Sequence, residues 1–187
     1  YENTSGQYNV ANGFKALESN TSGASNIAIG YEALNLNDSG AVNVACGAYA
    51  LKDNTTGVGN VAVGENVLSS NSIGSSNVGL GRNALKFNTA GNNNVALGRD
   101  AGRNNLIGNG NVFLGYGAGG LEIGSDRLYI DNNNNTFPLI YGEFENNIIA
   151  FNAKVGIGTK SPEASLQVYS GSDVTLSDGA GFFLIGR

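Results

Sequence analysis

From Asn9 to Gly119 one pattern returns every 17 residues without insertion or deletion, and that regularity confines the chain to folds in which like units stack. Asparagine opens each unit at Asn9, Asn26, Asn43, Asn60, Asn77, Asn94 and Asn111, and glycine follows four residues later, from Gly13 to Gly115. The residue directly after the asparagine is β-branched every time, from Val10 to Val112.

With the asparagine as position 0, positions +1 and +3 are apolar (Ile27 and Ile29, Val61 and Val63), while +2 is small (Ala28, Ala45, Ala62, Gly79, Ala96). Alternation of this kind predicts a short strand with one bulky and one nearly bare face. Glycine at +4 fits a sharp corner at positive φ. Positions +5 and +6 vary freely and are expected to face solvent. A second short strand is expected at +7 and +8 (Ala33-Leu34, Ala50-Leu51, Val67-Leu68, Ala84-Leu85), before a turn marked by Asn at +11 and Gly at +14. Glycine in every window excludes a helix. Units stacked about 4.8 Å apart would make a rod of about 34 Å, with asparagine side chains bonded in ladders.

Two features bear on packing. Each unit sets few sizeable apolar side chains against the conformational entropy of its backbone, so a lone coil is thin. The small residues at +2 and +7 then mark a flat face on which sister chains, three in the favoured arrangement, pool their cores. Asn12 in place of an apolar +3 residue marks the first unit as a cap or an incomplete copy. Gly102 and Gly119 replace leucine at +8 and Phe113 replaces alanine at +2, which reads as a widening junction.

Composition excludes several function classes. Charged residues make up 13% of the chain and its net charge is -5, without the clustered Lys and Arg that phosphate neutralisation on nucleic acid requires. No apolar run of bilayer-spanning length occurs, so no membrane insertion is expected. The single cysteine, Cys46, allows no internal disulfide; it shares the +3 column with Ile29 and Val63 and is expected to be buried. With no histidine in the chain, it lacks the usual activating base. The chain opens at Tyr1 and closes just after the apolar run Phe182 to Ile185, and is expected to be a segment of a longer protein.

The runs Asn26-Ile-Ala-Ile-Gly30, Asn60-Val-Ala-Val-Gly64 and Asn94-Val-Ala-Leu-Gly98 resemble the head repeats of trimeric autotransporter adhesins. That resemblance implies a left-handed parallel β-roll in a homotrimer. The repeats here are longer than those of the adhesin heads, which implies longer turns. Beyond the repeats, Leu128-Tyr-Ile-Asp131, Pro138-Leu-Ile-Tyr-Gly142, Val155-Gly-Ile-Gly-Thr-Lys-Ser-Pro162 and Leu166-Gln-Val168 are similar to modules of phage tail fibres and mosaic trimeric adhesins. The expected fold class is thus all-β: a parallel β-roll or β-solenoid of seven 17-residue repeats over residues 1–120, then a short-stranded intertwined β module over 121–187. Strands are expected at Arg127 to Ile130, Leu139 to Tyr141, Ile148 to Phe151, Val155 to Ile157, Ser165 to Tyr169 and Phe182 to Ile185, pairing between chains more readily than within one.

Motifs that carry chemistry elsewhere have structural readings here. Gly115-Tyr-Gly-Ala-Gly-Gly120 has the spacing of a dinucleotide loop but no helix after it. Asp131 to Asn135 lacks the Gly and Glu of a calcium loop. The glycosylation acceptors Asn20, Asn37 and Asn54 coincide with the +11 turn column. Thr21, Thr55 and Thr89 form a column interrupted by Asp38 and Leu106, against an ice-binding face. Glu143 and Glu145 are expected to share one strand face, as a glycan-cleaving pair requires, without a pocket signal.

No catalytic, metal or cofactor residues are expected, and the chain is read as a non-enzyme. The candidate ligand-facing surface is the variable +5 and +6 set, Tyr31, Tyr49, Arg82, Arg99 and Tyr116, which suits glycan stacking and hydrogen bonding. The expected role is that of an extracellular fibre on a cell surface or virion, attaching to glycan or protein receptors. The alternatives are a passive spacer with recognition at a separate tip, and a polysaccharide-cleaving fibre domain.

Overall fold

The computed structural model describes residues 3–168. Seven strands of three residues stand one per repeat: β1 (Val10–Asn12), β2 (Ile27–Ile29), β3 (Val44–Cys46), β4 (Val61–Val63), β5 (Val78–Leu80), β6 (Val95–Leu97) and β7 (Val112–Leu114). Each pairs in parallel with the next, like residue on like, so that Ile27 meets Val44 and Val44 meets Val61. The chain is a β-solenoid, as the 17-residue period predicts. Among the described residues there is no helix.

The coil has one strand where two were expected. Positions +7 and +8 lie in a turn, and the leucines at +8 take left-handed backbone, with φ of 52° at Leu17, 50° at Leu34 and 51° at Leu51. That conformation costs roughly 1–2 kcal/mol for a residue with a Cβ, and burying the leucine returns about 2 kcal/mol. The same backbone lets Leu34 N–H donate to the Ala50 carbonyl at 3.0 Å, one coil on. The +4 glycines do have positive φ, 143° at Gly47 for instance. A Cβ on Gly47 would also collide with the backbone of Gly64, so this column is fixed by close approach as well.

The interior is made of the small residues. Ala28, Ala45, Ala62 and Ala96 at +2, alanine or valine at +7 and leucine at +8 are all fully buried. Positions +1 and +3 point outward, leaving Ile27 38%, Ile29 41%, Leu80 51% and Leu97 39% exposed. The small residues therefore do not form an outer face, as expected of them; the outer face of the strand is the bulky one. Cys46, expected inside, is exposed with its column.

Between the coils run two files of buried asparagine. In the position-0 file, Asn43 Oδ1 accepts the backbone N–H of Asn60 at 2.9 Å while its Nδ2 donates to the Gly57 carbonyl at 2.8 Å. The same pair of bonds recurs at Asn60, Asn77 and Asn94. In the +11 file the side chains bond one another: Asn54 Nδ2 donates to Asn37 Oδ1, and Asn71 Nδ2 to Asn54 Oδ1, each at 2.8 Å. Gly40 and Gly57 at +14 stand where a Cβ would strike this ladder, so they provide space for it and need no positive φ. Asn3 and Gly6 continue the +11 turn before Asn9, with Asn20 Nδ2 3.3 Å from Asn3 Oδ1; the incomplete unit lies there.

Two departures from the repeat compensate one another inside the coil. A Cβ added to Gly79 would lie 2.5 Å from Val67 Cγ1, so valine in place of alanine at +7 is matched by glycine in place of alanine at +2. Phe113 lies fully buried, its ring filling the space where side chains on Gly102 and Gly119 would stand. The two missing leucines make room for one ring, and no widening is needed.

After β7 the spacing shortens by one residue and the sheet runs on. Strand β8 (Arg127–Ile130) pairs in parallel with β7, then β9 (Ile140–Glu143) and β10 (Ile148–Phe151) follow as an antiparallel meander. These strands pair within one chain, where pairing between chains was expected, and the turn over residues 144–147 returns β10 directly beside β9. Residues up to Asn152 form one compact unit. In the second, β11 (Val155–Ile157) pairs in parallel with β12 (Leu166–Val168). The strand expected at Phe182 to Ile185 lies outside the described residues.

The Val67 and Gly79 fit is testable. Gly79→Ala should cost about 1–3 kcal/mol by overpacking, and adding Val67→Ala, which restores the alanine pair of other coils, should recover most of it. Denaturant melts at one chain concentration measure this; additive effects would mean that the two residues do not share the site.

Candidate functional site

The turn after each strand carries +5 and +6 to one edge of the roll, so residues 17 apart in sequence become neighbours. Tyr31 and Tyr116 are 44% and 42% exposed there, and Arg82 and Arg99 are exposed beside them. The five expected residues fall into two groups and a single. Tyr31 meets Tyr49 edge to face, with ring centroids 5.3 Å apart. At the other end the Arg99 guanidinium lies 4.4 Å from the centre of the Tyr116 ring. Arg82, on the coil between, belongs to neither contact.

Phe14 joins the first group and was not among the expected residues. Its ring stacks on Tyr31 at 5.3 Å and 18°, and its signal in the sequence is that it occupies the same +5 column in the first unit. The cations follow the rings: Lys15 Nζ sits 5.8 Å from the Phe14 centroid and Lys52 Nζ 5.4 Å from that of Tyr49. Lys52 also pairs with Glu32 at 3.0 Å. Its ammonium holds the Glu32 carboxyl below the usual value, and the carboxylate holds Lys52 up. One face of Tyr31 is thus given to Phe14 and one of Tyr116 to Arg99. What this edge offers a ligand is ring edges, phenol hydroxyls and cationic N–H groups.

The other motifs take structural positions. Asn20, Asn37 and Asn54 are buried with Nδ2 bonded inside the ladder, which removes the atom a glycan would join. The threonine hydroxyls bond to the next coil, Thr55 Oγ1 to the Ser72 carbonyl at 3.0 Å and Thr89 Oγ1 to Leu106 at 3.0 Å. Glu143 ends β9 while Glu145 lies in the following turn, so the two do not share a strand face. Hydrogen bonds from Asn146 and then Tyr141 hold the Glu143 carboxyl below its ordinary value. Among the described residues no group of three or more His, Cys, Asp or Glu could hold a metal ion, and no helix is long and apolar enough to cross a membrane.

At the end of the roll a polar lock was not legible in the repeat. Tyr129 continues the interior column, 6.0 Å from the Phe113 ring and 5.3 Å from that of Tyr141. Its hydroxyl donates to Glu122 Oε2 at 2.6 Å, while Oε1 accepts the N–H groups of Ile123 and Gly124. Burial is the largest single influence on Glu122 and opposes ionisation, yet these donors and the Arg127 charge together hold the carboxyl below its usual value. Burial first, and then Glu122, push the Tyr129 phenol far above its ordinary 10.0.

The signs give a pH profile. A depressed carboxyl stabilises above the ordinary carboxylate range and loses that effect as pH falls through its folded value; a raised phenol stabilises below about pH 10 and loses it above. Tyr129→Phe should therefore be most destabilising near neutrality, with the deficit narrowing in acid and again above pH 10. Urea midpoints of the two proteins from pH 3 to 11 measure it, and a deficit independent of pH would contradict the lock.

No protein-family model, curated protein or solved structure matches this chain.

Proposed function

We propose that this chain is a segment of an extracellular trimeric fibre, borne on a cell surface or virion, that attaches to glycan or protein receptors. The observation that carries the reading is the apolar strip on the outside of the roll. Residues at +1 and +3 stack in two unbroken columns along β2 to β7, and Leu128 and Ile130 of β8 extend them in register. An apolar strip of this length on a roll whose interior is already filled is an association surface. The strip runs along the roll axis, so sister chains meeting on it align side by side as a rod. Three is the number that the resemblance to adhesin heads and tail fibres implies.

Attachment then falls to the edge that the strip leaves free, where Tyr31, Tyr49, Arg82, Arg99 and Tyr116 stand. A second reading, the passive spacer, is favoured by the same edge: Tyr31 and Tyr116 already spend a ring face on Phe14 and Arg99. Neither reading contains a catalytic step.

Light scattering at micromolar concentration should return three times the 19.2 kDa chain mass, and Ile29→Lys with Leu97→Lys should shift it toward one; a single-chain mass for the parent protein excludes the fibre. On a glycan array the parent should bind and the five-fold alanine variant should not. Silence of the folded trimer on both the array and cells favours the spacer.

A further inference from the structure

The apolar strip on the outer face does not end with the roll. Residues opposite one another in paired strands share a face of the sheet, so the +1 column continues from Val112 through Leu128 and Gly142 to Ile149, and the +3 column from Leu114 through Ile130 and Ile140 to Phe151. Gly142 alone in these two columns has no side chain. Beside it lies a pocket of about 220 Å³, walled by Leu128, Phe144, Ile148 and Ile149, with Glu143 and Asn147 at its turn end. A Cβ on Gly142 would lie 3.0 Å from Leu128 Cβ, so the gap in the column is built into the packing of the meander.

A repeating strip brings sister chains together without fixing their height. Along β2 to β7 the +1 column holds only isoleucine and valine, and the +3 column runs Ile29, Cys46, Val63 and then leucine. A sister chain displaced by one coil, about 4.8 Å along the axis, meets nearly the same side chains, so another feature must exclude that alternative. The pocket at Gly142 is the one gap in this surface, and it lies on the +1 flank. On the +3 flank, Phe151 stands 57% exposed on the neighbouring strand. In a closed ring of sister chains every contact is heterologous, each copy using two different flanks. The +1 flank of one copy then faces the +3 flank of the next at equal height.

We infer that the pocket at Gly142 receives the Phe151 ring of the adjacent sister chain, and that this contact sets the axial register of the three. The lining suits a ring, with four apolar side chains around a floor that has none, and an aromatic anchor in such a pocket is the kind of contact that dominates an interface. Each copy gives one ring and accepts one, so the exchange closes when the third copy meets the first. This rests on the trimer reading above and adds to it which residues meet and at what height.

Methyl NMR tests the contact on a sample in which chains with isotope-labelled leucine and isoleucine methyls are refolded together with unlabelled chains. Interchain cross-peaks from the Leu128 and Ile149 methyls to an aromatic ring should appear, and Phe151→Ala in the unlabelled chains should remove them. Register is read from the distance between nitroxide labels on Ser39→Cys, an exposed turn position, in a Cys46→Ser background. With Phe151 intact one narrow interchain distance is expected; Phe151→Ala should broaden it toward the longer distances that one-coil slips produce. An associated protein without the cross-peaks, or a folded Phe151→Ala trimer that keeps one narrow distance, overturns the inference while the fibre reading stands. A single-chain mass overturns both. The cross-peaks of the parent chain decide the contact even if the variant does not fold.

Discussion

The fold depends on the carboxamide of a buried asparagine reaching the backbone of the next coil. Stacked coils with three-residue strands leave most of their peptide groups outside the strand ladder; the turns pair many of these backbone to backbone with the neighbouring coil, and a buried N–H or carbonyl still without a partner costs about 1–3 kcal/mol. The position-0 side chain meets this need with one acceptor and one donor, both directed to the coil above. An aspartate has no N–H to give the glycine carbonyl, and a glutamine is a methylene too long for the gap. The +11 file adds side-chain bonds along the axis and requires glycine at +14 to leave it space. Much of the invariance in the repeat therefore serves contacts between coils and not the shape of any one coil.

That constraint explains why the coil is filled by small residues. With carboxamides occupying two sides of the interior, alanine at +2 and +7 with one leucine is what remains to fit. The exceptions obey the same volume: valine at 67 is answered by glycine at 79, and the ring of Phe113 by glycine at 102 and 119. Bulk excluded from the inside stands outside at +1 and +3. The exposed apolar strip is thus a consequence of how narrow the coil is.

Architecture was far more legible in the sequence than orientation or site. The period, the parallel stacking, the strand at +1 to +3 and the asparagine files follow from spacing alone. Which face of the strand looks inward does not, because Ile27 and Ile29 resemble core and Ala28 resembles surface until the asparagines are seen to share the interior. The leucines at +8 read as strand because nothing in a leucine announces left-handed backbone. At the candidate site, the +5 and +6 columns placed Tyr31 beside Tyr49 and Arg99 beside Tyr116, and the same column could have found Phe14.

The asparagine files can be tested directly by hydrogen exchange of side-chain amides, followed by NMR on the intact protein. Nδ2 protons of Asn43, Asn60, Asn77 and Asn94 and of Asn54, Asn71 and Asn88 should exchange only with global unfolding, orders of magnitude more slowly than those of the exposed Asn132 and Asn133. Exchange of the two files at the rate of the exposed amides would contradict the account, because the carboxamides would then not be the buried groups that complete the backbone bonding between coils.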